Sequence, residues 1–321
     1  MCDERTFADQ DERVRQQGGV TRREFGVLSL GAGVSMLWPG SASAAEVVDH
    51  DVDLATPDGR ADGYFVHPSS GAHPGVLVWP DAFGLRPAMK QMGRRLAQSR
   101  YSVLVVNPYY RTAKAPILPE GADFADPKTR ETIMSMMATL TSQTHTRDAK
   151  AFVDYLDAQA SVARDRKMGT TGYCMGGPIT MRTAAARADR IGAAASFHGG
   201  RLVTKDPDSP HLLVSKMKAH YLIAIAANDD EAEPEVKNVL RETFARNGLP
   251  AEIEVYDGAL HGWCPPDSRV YNEAQAERAW SRLLVLFEGA PGAGLAASGA
   301  ARLFPGRIVR GRPESRPTGC Q

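Results

Sequence analysis

The chain has 321 residues, with 38 basic and 38 acidic side chains. That balance excludes the strong single-sign charge of a nucleic-acid binder, and no nucleic-acid partner is expected. Its 43% apolar content excludes a disordered chain and suits one large or two small globular domains.

The N-terminal segment reads as a targeting signal rather than as part of the fold. Thr21-Arg22-Arg23-Glu24-Phe25 carries a twin arginine, Gly26 to Trp38 is moderately apolar, and Ala42-Ser43-Ala44 offers a small-x-small cleavage site. The expectation is a twin-arginine-type signal over 1–44 and an exported, periplasmic protein, cytoplasmic if the signal does not function. The apolar run is too short to cross a bilayer comfortably, and no other stretch qualifies. The mature chain is expected to lack a membrane span and to be a monomer. At the other end, residues 289–321 are rich in Gly, Ala, Pro and Arg without an apolar period, which predicts a disordered basic tail.

Between these ends, residues 46–288 alternate strands and helices. Val47 to Leu54 and Asp62 to His67 read as paired outer strands. Gly75 to Trp79 and Ser102 to Asn107 are short apolar runs of the buried kind, separated by an amphipathic helix over Pro87 to Ser99 with Met89, Met92 and Leu96 inward. Helices are expected over Thr129 to Leu140 and Arg147 to Ala158. A strand over Met168 to Thr171 follows, then a helix from Met175 to about Arg187. Further strands are expected over Ile191 to Phe197, His220 to Ala226 and Ala251 to Tyr256, and helices over Pro234 to Asn247 and Glu273 to Glu288. The alternation predicts an α/β fold: a single domain with a mostly parallel central sheet, helices on both faces, and no cap domain. Ligands of such sheets bind at the carboxyl ends of the strands.

The most specific motif is Gly172-Tyr173-Cys174-Met175-Gly176-Gly177. It is the nucleophile-elbow pattern G-x-S-x-G with sulfur in place of oxygen. The pattern needs a strand entering and a helix leaving, which the periodicity supplies. The helix N-terminus then favours a thiolate. Four widely spaced cysteines, Cys2, Cys174, Cys264 and Cys320, make neither a disulfide framework nor a zinc site. No metal and no cofactor are expected.

A thiol nucleophile needs a base and an orienting acid. His261, in a glycine-flanked loop after the last strand, is the candidate base. The acid falls between them in chain order, and both Asp229 and Asp230 follow a predicted strand. A one-residue shift in that turn swaps their directions, so the residues alone leave the choice open. Asp81-Ala82-Phe83-Gly84 follows the first buried strand, where this architecture supplies one oxyanion-hole amide. The backbone N–H groups of Ala82 and Met175 are therefore expected to hold an oxyanion.

These residues give the chain a resemblance to the dienelactone hydrolase (carboxymethylenebutenolidase) family of the α/β-hydrolase superfamily. It rests on Asp81-Ala82-Phe83-Gly84, Asn107-Pro108-Tyr109-Tyr110-Arg111, Gly172 to Gly177, Asp230 with Pro234, and Gly258-Ala259-Leu260-His261-Gly262, in order across the domain. The resemblance implies a hydrolase for a lactone or small activated ester, acting through Cys174, His261 and Asp230 and a thioacyl intermediate. Asp230 is selected because the family's acid precedes a proline by four positions. The resemblance also implies that Asp81 activates the thiol and that Arg111 binds a substrate carboxylate. The chain departs from the family after His261, where Gly262-Trp263-Cys264 replaces a carboxylate-binding serine, and Arg269 lies later than the family's arginine. Two other readings stay open: a thiol-dependent redox or detoxifying protein pairing Cys174 with Cys264, and a non-catalytic ligand-binding homologue.

Overall fold

The computed structural model describes residues 44–290. The expected signal segment (1–44) and basic tail (289–321) lie almost wholly outside the described residues. Eight strands form one sheet: β1 Val47–Thr56, β2 Gly59–Pro68, β3 Gly75–Trp79, β4 Ser102–Val106, β5 Met168–Tyr173, β6 Ile191–Phe197, β7 His220–Ala226 and β8 Ala251–Tyr256, in the spatial order β1-β2-β4-β3-β5-β6-β7-β8. β1 and β2 form the expected antiparallel pair, and β2 runs antiparallel to β4. Every other neighbouring pair is parallel.

β3 and β4 are buried along their whole length, as parallel strands covered on both faces must be. Their side chains alternate between two cores. Leu77, Trp79, Leu104 and Val106 face one layer with Phe152, Leu156 and Ile179, while Val76, Val78, Val103 and Val105 face the other with Met89, Leu96, Leu283 and Phe287. Each such Val or Leu contributes about 1.5–3 kcal/mol by its burial.

Seven helices are described. α1 (Pro87–Gln98) and α7 (Glu273–Gly289) cover the second core, and α3 (Ser142–Ala158), α4 (Gly176–Ala186) and α6 (Val236–Arg246) cover the first. α2 (Pro127–Met137) starts at Asp126, whose carboxylate accepts the Thr129 N–H at 2.8 Å. α3 begins five residues before the expected Arg147. A capping box between Thr141 and Thr144 nucleates it there, a signal that a search for apolar period overlooks. The short acidic α5 (Ala227–Ala232) was not expected either; it starts directly after β7.

The order β4-β3-β5 makes β3 the point from which the chain winds both ways. The crevice at such a switch point is bounded by the loops leaving β3 and β5. Those loops carry Asp81-Ala82 and Cys174.

Candidate active site

Cys174 sits between β5 and α4 with φ of 50°, the left-handed region that a non-glycine residue adopts only under constraint. The constraint is the crowding around it. A Cβ on Gly172 would lie 2.3 Å from the Gly176 carbonyl oxygen, and one on Gly176 would lie 2.4 Å from that of Trp79. A Cβ on Gly177 would meet Ser196 Oγ at 2.5 Å and Gly199 Cα at 2.6 Å. The glycines let α4 start against β3, and the cysteine turns out over the strand ends above the N-terminus of α4.

His261 is buried in the loop after β8. Its backbone N–H donates to Asn228 Oδ1 at 2.8 Å, and its Nδ1 lies 2.8 and 3.0 Å from the carboxylate oxygens of Asp229. The expected partner Asp230 is therefore corrected to Asp229. The chain turns helical immediately after β7, so Asn228 and Asp229 face the His261 loop. Asp230, a further ~100° round α5, points to α6, where Lys237 Nζ donates to both its oxygens at 2.6 Å.

The oxyanion loop is held from beneath. Neither Ala82 N–H nor Met175 N–H meets an acceptor among the described residues. The hydroxyl of Tyr109 lies 3.0 Å from the Ala82 carbonyl oxygen and 3.0 Å from Met175 Sδ. This fully buried phenol, its pKa driven up by burial, links the two segments that carry the amides. Asp81 lines the same cavity, but both its oxygens are taken. Arg86 donates to Oδ1 at 2.7 Å and to Oδ2 at 2.9 Å, and the Phe83 N–H donates to Oδ1. The expected thiol-activating acid is in this geometry the anchor of an arginine and of its own turn.

His198 was not singled out from the sequence. It follows β6 with φ of 41° and no exposed surface. Its Nδ1 accepts the Cys174 backbone N–H at 3.1 Å, and its ring centroid lies 5.1 Å from that of His261 and 5.0 Å from that of Trp263. Accepting at Nδ1 places the proton on Nε2. Burial, reinforced by His261, keeps the ring neutral by pushing its pKa well down. Nε2 meets no hydrogen-bond partner among the described residues. A histidine directly after a buried apolar strand was the available signal.

Cys174, His198 and His261 line one cavity of about 980 Å³ together with Asp81, Ala82 and Phe83. One rim is the segment from Pro116 to Ala125, and the opposite one runs from Pro266 to Val270. Arg269 Nη1 joins them by donating to both oxygens of Asp123 at 3.0 and 3.1 Å. Arg269, expected to fall away from the site, is thus in its wall, beside Ser268. Arg111 is not. Its guanidinium turns to α3 and to the β1–β2 turn, donating to Asp148 at 2.6 and 2.9 Å and to Asp58 at 2.6 and 3.0 Å. The reason is Asp148, only 1% exposed, whose carboxyl is raised by burial and needs a cation. The carboxylate-binding role expected of Arg111 is corrected accordingly. Cys264 is a free, buried thiol, its pKa driven up by burial. It lines a separate small cavity with Tyr173, Phe197 and Trp280. No group of three or more potential metal-ligating side chains occurs among the described residues.

Known proteins resemble this chain in sequence and fold. The model of the dienelactone hydrolase family matches residues 61–290. A Salmonella typhi protein provisionally named carboxymethylenebutenolidase is 27% identical over 231 residues, covering 70% of this chain and 81% of that protein. A carboxymethylenebutenolidase of Rhodococcus opacus is 24% identical over 230 residues, covering 70% and 85%. Among solved structures, a provisionally named dienelactone hydrolase from Klebsiella pneumoniae superposes with a TM-score of 0.66 at 23% identity, covering 76% of this chain and 99% of that one. The family match spans the sheet from β2 onward, the elbow and the histidine loop, and the chain belongs to the dienelactone hydrolase family, as a lactone and ester hydrolase.

Proposed function

We propose that the chain hydrolyses a lactone or small activated ester by covalent catalysis at Cys174, with His261 and Asp229 completing a triad. The observation that carries this is the convergence of a cysteine at an elbow and a histidine bound to a carboxylate at 2.8 Å in one cavity. The Cys174 thiolate attacks the carbonyl carbon, and the new oxyanion takes the amides of Ala82 and Met175. The acyl C–O bond breaks, and the His261 imidazolium gives its Nε2 proton to the leaving oxygen. Water then attacks the thioester, His261 takes its proton, and the sulfur departs. Asp229 fixes the proton on Nδ1, so Nε2 is the end that exchanges protons. A thiolate is itself a good leaving group, which suits activated or cyclic enol esters better than amides.

The site gives no support to a Cys174–Cys264 redox pair, since Cys264 remains free and faces another cavity. With the protein reduced, Cys174→Ala is expected to lower kcat/KM on an enol lactone and on p-nitrophenyl acetate by about 10³-fold or more. Full activity in that variant excludes the mechanism.

A further inference from the structure

The charged lining of the main cavity constrains the substrate further, given the reading of Cys174 as the reacting thiol. Its ionisable wall holds two guanidinium groups, Arg86 and Arg269, and four carboxylates, Asp81, Glu120, Asp123 and Asp267. A guanidinium has five N–H donors, and Arg86 uses all of them. Nε donates to Asp267 Oδ2 at 2.7 Å, Nη1 to Asp81 Oδ1 at 2.7 Å and to the Gly84 carbonyl at 3.3 Å, and Nη2 to Asp81 Oδ2 and Asp267 Oδ1, each at 2.9 Å. Arg86 is thus a closed cation that carries two carboxylates. Arg269 is balanced by Asp123. Arg111, the remaining candidate for binding an anion, lies elsewhere on Asp148 and Asp58. Apart from Gln91, Ser268 and the two histidines, the rest of the wall is apolar or glycine: Phe83, Leu118, Phe124 and Val270 face the same space as Cys174.

We infer that this cavity selects uncharged esters and lactones with apolar substituents and disfavours carboxylate-bearing ones. A carboxylate entering it meets an Arg86 closed by two carboxylates, an Arg269 already paired with Asp123, and a surplus of negative charge on the wall. The volume of about 980 Å³ lies at the upper end of the usual range for small-molecule sites, with room for substituents well beyond a single lactone ring.

Alkylation of reduced Cys174 reads the charge preference without requiring turnover. Iodoacetamide and iodoacetate transfer almost the same group, one neutral and one anionic. Each rate at Cys174, followed by peptide mass spectrometry, is divided by the rate with glutathione at the same pH. The normalised ratio is expected to favour iodoacetamide by about tenfold or more at low ionic strength and to shrink as salt is added. Asp267→Asn removes one negative charge and leaves one Arg86 donor without its acceptor, and is expected to move the ratio toward iodoacetate by about threefold or more. A wild-type ratio of one, or a preference for iodoacetate, overturns the inference. The wild-type ratio and its salt dependence decide the matter even where the variant does not fold. In parallel, a neutral p-nitrophenyl ester is compared with one bearing a terminal carboxylate. Hydrolysis of neither sinks the hydrolase reading while the alkylation ratio still decides the charge preference.

Discussion

At the residue scale the site depends on which of two adjacent acids faces His261. Asp229 lies 2.8 Å from Nδ1, whereas Asp230 is held by Lys237. Asp229→Asn keeps the shape but can stabilise the wrong tautomer of His261, and kcat is expected to fall by about 10²–10⁴-fold. Asp230→Asn loses a partly exposed ion pair, so stability should change by about 1 kcal/mol or less. Its kcat should stay within about threefold of wild type, since Asp230 touches nothing in the cavity. Steady-state kinetics of the two variants on one ester check the assignment, and a larger loss for Asp230→Asn reverses it. The sequence brought the choice down to these two neighbours. It could not decide between them because neighbours on a helix differ in direction by ~100°, and the point where α5 begins is set by packing against the His261 loop. A resemblance built on the spacing to Pro234 chose the other residue.

Among the elements, the β5–α4 elbow is the least tolerant of added atoms. Gly176 is fixed by backbone, with the carbonyl oxygens of Trp79 and Pro80 at 2.4 and 2.8 Å from a would-be Cβ, and backbone at the end of β3 cannot swing aside. Gly176→Ala is expected to lower Tm by about 6 °C or more, as overpacking of about 2–3 kcal/mol does in a domain of this size. Gly258→Ala is the control. Its φ is positive, 71°, but nothing among the described residues lies within 4 Å of an added Cβ, so only conformational strain of about 1 kcal/mol applies. Thermal unfolding of both proteins measures the difference, and equal drops refute the steric account. This element was legible in the sequence because its requirement is local: strand, glycine-flanked cysteine, helix. α5 and the first turn of α3 were not, because caps and tertiary contacts, rather than apolar periodicity, set them.

Across the whole molecule, buried histidines tie stability to pH. His145 on α3 has neither ring nitrogen hydrogen-bonded among the described residues and is buried beside Arg182 and Arg111, with Asp208 opposing them. Burial first, then the two arginines, push its pKa down to about 3. Between that value and the ordinary 6.5, the unfolded chain binds a proton that the folded chain refuses, so stability falls as pH falls through this window. One proton corresponds to about 1.4 kcal/mol per pH unit. Urea unfolding at pH 7 and pH 5 should therefore show a smaller acid loss for His145→Leu than for wild type, by about 1–2 kcal/mol. Equal losses would show that His145 charges in the folded state. His198, also kept neutral by burial, contributes in the same direction and remains in the variant.

By itself the sequence determined the fold class and pointed to the elbow cysteine, the glycine-flanked His261 loop and the loop after β3 as candidates. Each of these is specified by short-range pattern, through strand period, glycine spacing and position after a strand. Tertiary structure alone decided the partners of the charged groups. Asp229 rather than Asp230 meets His261, Arg111 is drawn to the buried Asp148, Asp81 anchors Arg86, and His198 sits under Cys174. Apart from Asp81 and Arg86, which are 5 positions apart, these pairs are separated by 24 to 37 positions. They follow from which buried charge must be neutralised and which side chain fits the space left, and neither is written in local order along the chain.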